Sequence, residues 1–138
     1  MIIKINDTKP KIILCAMYGT QSNSFGTSQV NENLHQMFSQ LSKYAGQEYC
    51  IILAGDMNLR LGTSDLEGTI DLPGNTNDLS KSGNLFRNYL ENCELEIKNY
   101  MCESGDSTTF TDGKNRTKRA LDVICANEGF ITMVKIDH

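Results

Sequence analysis

The sequence predicts a mixed α/β sheet with covering helices, forming part of a larger layered sandwich. Three observations lead there. Apolar runs of strand length, bounded by turn residues, recur along the chain. Two stretches place apolar residues at helical spacing instead. The connections include both tight turns and a helical crossover, which implies antiparallel and parallel pairings in one sheet. Two helices are few to cover several nearly all-apolar strands on both faces, hence the larger sandwich.

In order, Ile2 to Ile5 and Lys11 to Met17 read as strands joined by the turn-rich Asp7-Thr8-Lys9-Pro10. Gln21 to Ser28 is polar and contains glycine, and reads as a loop. Val30, Leu34, Met37, Phe38 and Leu41 form a helical stripe, with Thr27 or Ser28 as N-cap and Gly46 near the stop. Tyr49 to Ala54 is the next strand, apolar enough to be central and covered on both faces. The stretch 62–84 holds Gly62, Gly68, Pro73, Gly74 and Gly83 among polar residues, a long loop of the kind that often carries function.

Ser82 is placed to cap a second helix with the stripe Leu85, Phe86, Tyr89, Leu90 and Cys93. Leu95 to Lys98 reads as a short strand. Thr108 to Thr111 and Ala120 to Ala126 are expected to pair as a hairpin around the basic link Asp112 to Lys118. Ile131 to Ile136 is the last expected strand.

At 138 residues the chain is one domain in size. No apolar run approaches the ~20 residues a membrane helix needs, and the N-terminus has no signal-peptide pattern. The five cysteines form no CxxC pair, and three sit in apolar runs. That speaks against a disulfide framework or zinc site and for an intracellular setting, nuclear or cytoplasmic. A net charge of -4 argues against holding nucleic acid by a broadly basic surface. It leaves room for an acidic site that recruits a cation to meet a phosphate.

Two places contradict the burial pattern. In IILAGDMNLRLG, Asp56 and Asn58 follow an apolar strand, two residues apart. On an extended chain such residues point the same way, so both can face one site; a turn rich in Gly, Asp and Asn explains them equally. In RALDVICA, Asp122 sits where a strand should be buried, and it needs a partner there unless the strand is an edge.

These segments carry a resemblance. IILAGDMNLRLG resembles the GDFN signature of the endonuclease/exonuclease/phosphatase superfamily, whose members include DNase I-like nucleases, abasic-site and retroelement endonucleases, inositol-phosphate phosphatases and sphingomyelinases. KIILCAMYG resembles the strand ending in the tyrosine, here Tyr18. NLFRNYLENCELEIKN, STTFT and KRALDVICAN follow in the family's order. The resemblance implies a four-layer α/β sandwich of the DNase I-like type, and hydrolysis of a phosphodiester by in-line attack of an activated water, with Mg²⁺ or Mn²⁺.

It further implies that Asp56 orients or activates the water, Asn58 donates to the phosphate and Tyr18 supplies a phenolic donor. Asp122 matches the carboxylate that orients a catalytic histidine. Thr109 matches a threonine near the scissile phosphate. Asp137 and His138 match the end of the family's Ser-Asp-His, as metal ligand and essential histidine, although Ile136 replaces the serine. His35 falls on the polar face of the first helix, outside any site.

The pattern is nearest to retroelement and abasic-site endonucleases. That makes nucleic acid the expected substrate, with Lys114, Arg116, Lys118 and Arg119 placed for phosphate contact or simply forming a solvated hairpin tip. The family's metal-binding Glu belongs to an earlier strand, and no acidic residue but Asp7 precedes Tyr18. The matched segments therefore read as a partial domain over 1–138 with the N-terminal half absent, active as a whole domain and weak or inactive as this piece. Two alternatives stay open: an inactive remnant or binding module of the same fold, and an inositol-phosphate or sphingomyelin-type hydrolase. No membrane and no obligate protein partner are expected.

Overall fold

A computed structural model describes residues 1–19, 22–59, 81–99, 110–111, 118–119, 122–127, 129 and 131. Its centre is a five-stranded sheet. β1 (Ile2–Ile5) and β2 (Lys11–Tyr18) form an antiparallel hairpin. α1 (Ser22–Leu41) then crosses over, and β3 (Tyr49–Asp56) runs parallel to β2. α2 (Lys81–Asn92) leads into β4 (Leu95–Ile97). β5 (Phe110–Thr111) and β6 (Lys118–Arg119) pair with each other in a separate two-stranded sheet. β7 (Asp122–Asn127) returns to the main sheet between β3 and β4, antiparallel to both, giving the order β1-β2-β3-β7-β4.

The sheet is mixed and helix-covered, as the sequence predicts. Register explains which residues are buried. Ile13, Ile51, Cys15, Leu53, Cys125, Val123 and Ile97 share one face and are buried. Val30, Leu34, Phe38 and Leu41 of α1 and Phe86 and Leu90 of α2 pack onto them as one core. The two helices meet through Phe38, stacked on Tyr89 at 5.0 Å between centroids and edge-on to Phe86 at 5.7 Å. His35 lies exposed on α1, its Nδ1 2.9 Å from the Tyr89 hydroxyl, away from any site.

The opposite face presents Ile3, Ile5, Ile12, Leu14, Ile52, Ala54 and Ile124. Ile3 is 41% exposed and Ile5 36%, and the rest of these are half-buried. β3 is thus central, as expected, but its covering by described helices is on one face rather than two.

Several boundaries differ from the expectation. α1 begins at Ser22 rather than after Thr27 or Ser28; Phe25 is the one large apolar residue in 22–28, so the sequence carries no helical periodicity there. Ser82 lies inside α2, buried, and donates from Oγ to Asn31 Oδ1 at 2.8 Å instead of capping. β4 stops one residue before Lys98. The strand of RALDVICA does not pair with STTFT: β6 takes that partner, and β7 joins β3 and β4. Ile131 is not in a strand, and 132–136 lies outside the described residues. Among the described residues, no helix is long and apolar enough to cross a membrane.

Candidate active site

The site is built where β2, β3 and β7 end together. Tyr18 is the register partner of Asp56, and Asp56 is the register partner of Asp122. Register partners share a face, so the phenol and both carboxylates stand in one row on the face away from the helices. Tyr18 is 76% exposed and Asp122 is exposed, while Asp56 is half-buried. Like charges directly opposite one another destabilise a sheet, and here two carboxylates form one cross-strand pair.

Alternation continues past the end of β3: Met57 and Leu59 are buried, Asp56 and Asn58 half-buried. Asn58 does not lie on extended chain, however. Its φ of 47° puts it in the left-handed region that asparagine tolerates. Its backbone N–H donates to Asp56 Oδ1 at 2.9 Å, an Asx turn. The turn reading of this segment is what the structure shows, and the turn carries Asn58 back beside Asp56. The bond also gives one carboxylate oxygen of Asp56 a fixed donor, which restricts its rotation.

The Tyr18 side is clasped to this turn twice. Gly19 N–H donates to the Asp56 carbonyl at 2.6 Å, and Asn58 Nδ2 donates to the Gly19 carbonyl at 2.7 Å. The closeness requires glycine. A Cβ on Gly19 would lie 2.0 Å from the Met57 carbonyl oxygen. Gly55, at φ +146°, would place one 1.9 Å from that of Met17. Sequence reading missed Gly19, although a glycine directly after an apolar strand and a tyrosine was the available signal.

The remaining expected site residues fall in the small second sheet or outside the described residues. Arg119 lies in β6, opposite Phe110, and Lys118 opposite Thr111. Thr109, Lys114, Arg116, Asp137 and His138 lie outside the described residues. Among the described residues no three His, Cys, Asp or Glu side chains cluster as a metal site. Asp56 and Asp122 supply hard oxygen donors of the kind Mg²⁺ accepts, as part of a shell rather than a whole one.

Comparison with solved structures decides the fold. The chain is similar to an endonuclease/exonuclease/phosphatase family protein from Leptotrichia buccalis C-1013-b, with a TM-score of 0.53 and 20% identity. The fold is of the DNase I-like type. The match covers 92% of this chain and 40% of that one, so the chain spans well under half the length of the structure it resembles. At this identity the likeness speaks for the fold alone. No family model matches the chain, and no curated protein matches it significantly.

Proposed function

We propose that the row Tyr18–Asp56–Asp122, with Asn58 folded beside it, is the water-activating part of a phosphodiester hydrolase that acts on nucleic acid with Mg²⁺ or Mn²⁺. The supporting observation is the cross-strand pair of carboxylates held at an open strand end. A cation and a reacting phosphate between the two carboxylates would offset their mutual repulsion. The cation's chemistry is to neutralise phosphate charge and stabilise the leaving oxygen.

The chain's own residues have the remaining tasks. Asp56, one oxygen fixed by the Asn58 N–H, presents the other to hold a water and take its proton. The Asn58 carboxamide and the Tyr18 hydroxyl donate to phosphoryl oxygens as charge develops on them. Asp122, opposite Asp56, orients a histidine, with His138 as the candidate, and Asp137 adds an oxygen to the cation. Thr109, Arg116 and Arg119 are the candidates for phosphate contact.

In this reading the chain is the later part of a larger domain, in keeping with the 40% coverage of the matched structure. Taken alone it hydrolyses slowly or not at all, because two carboxylates hold a cation less firmly than the six oxygens such an ion takes. The test compares this chain with a domain of the matched structure's full length that contains it, on abasic-site DNA, supercoiled plasmid, inositol phosphates and sphingomyelin. DNA cleavage by the longer protein that stops in EDTA is the expected result. Turnover unchanged in EDTA would remove the metal mechanism, and preference for a lipid or inositol substrate would replace the nuclease reading.

A further inference from the structure

The backbone of the Asp56–Asp122 pair turns away from itself. The Asp56 carbonyl accepts from Gly19 N–H on the β2 side. The Asp122 carbonyl accepts from Asn99 Nδ2, at 2.8 Å, on the β4 side. The pair therefore falls at a non-hydrogen-bonded position, where cross-strand side chains stand closest. Two carboxylates face each other with no ladder bond between their strands at that point. What holds each strand from outside therefore adds to the alignment that the neighbouring Gly55–Val123 pair gives.

On the β7 side β4 has already ended. Its last register pair is Ile97 with Cys125, after which Lys98 N–H still donates to the Ile124 carbonyl at 2.7 Å. Beyond that Asn99 takes over with its side chain. Its Oδ1 accepts from Ile124 N–H at 2.9 Å while its Nδ2 donates to the Asp122 carbonyl. A carboxamide carries the same donor and acceptor as a peptide group, and this one bridges β7 as another residue of β4 would. Asn99 is 2% exposed, so water competes poorly for either bond.

We infer that Asn99 is a positioning residue: its buried carboxamide extends the β4 ladder and holds Asp122 in the row with Asp56. That purpose rests on the phosphodiester reading of the row. It acts through Asp122 and touches no substrate. Asn127 is a built-in control at the other end of the same strand. Its Oδ1 accepts from Ile51 N–H at 2.6 Å and its Nδ2 donates to the Glu94 carbonyl at 3.3 Å. It has the same chemistry, far from Asp122.

The experiment is NMR on the full chain and its Asn99→Ala and Asn127→Ala variants. Asn99→Ala is expected to abolish the cross-strand contact between Asp56 and Asp122 and to speed exchange of the Ile124 amide roughly ten-fold, with Ile52 still opposite Ala126. Asn127→Ala is expected to leave the Asp56–Asp122 contact in place. Retention of that contact in Asn99→Ala, or its equal loss in both variants, would overturn the inference.

Should Asn99→Ala fail to fold, the near-isosteric Asn99→Asp keeps the acceptor for Ile124 N–H and sets a carboxylate oxygen against the Asp122 carbonyl. The same loss is expected there, and retention overturns the inference. These readouts follow geometry and not turnover, so an intact clamp in a longer domain that fails to cleave DNA with Mg²⁺ would count against the phosphodiester reading alone.

Discussion

Gly19 and Gly55 let the ends of β2 and β3 approach closely enough for the site to form. Gly19→Ala would drive a Cβ to 2.0 Å from the Met57 carbonyl oxygen, backbone that cannot swing aside. We expect it to cost about 2 kcal/mol or more in urea unfolding, as a strained backbone site does; an unchanged midpoint would mean that the clasp is loose. The cysteines report on the core in another way. Cys15, Cys50, Cys93 and Cys125 are buried free thiols, and burial pushes each of them up, Cys50 to about 11. A thiol whose folded pKa is raised stabilises the fold fully below the free-thiol range of about 8.5. It loses that contribution as pH rises through the folded value. Stability should therefore hold to roughly pH 8.5 and fall toward 11, and Cys50→Ala should blunt that fall. A flat profile across that range would contradict the burial.

At the scale of elements, α1 and α2 meet through one aromatic cluster centred on Phe38, 2% exposed, against Phe86 and Tyr89. Phe38→Ala should cost about 3–5 kcal/mol by calorimetry or denaturant, as aromatic truncations in cores do. A loss below 1 kcal/mol would mean that the helices are held elsewhere. The strands β1, β2 and β3 were legible because their runs are apolar and end in turn residues. The first turns of α1 were not, because a single large apolar residue, Phe25, carries no periodic signal. The partner of β7 was misread as a neighbour in sequence, since nothing local distinguishes a hairpin from a return to the central sheet. Asp56, Asn58 and Asp122 stood out because each breaks an apolar pattern. Asn99 and Asn127 did not: an asparagine at a strand end looks like any turn residue until its carboxamide is seen bonded across strands.

At the scale of the whole molecule, the described helices cover one face of the sheet, and the other face is apolar and half-buried. The catalytic proposal sits on the rim of that second face, where Asp56 and Asp122 meet. There Asp122 is exposed and Asp56 half-buried. The central claim is that Asp56 acts on the attacking water, and its most direct test is turnover rather than binding. In the full-length domain with Mg²⁺, kcat on abasic-site DNA should fall by about 10²–10⁴ in Asp56→Asn, as loss of a general base does, with the fold unchanged by circular dichroism. An Asp56→Asn protein that keeps kcat within a few-fold of wild type would contradict the account.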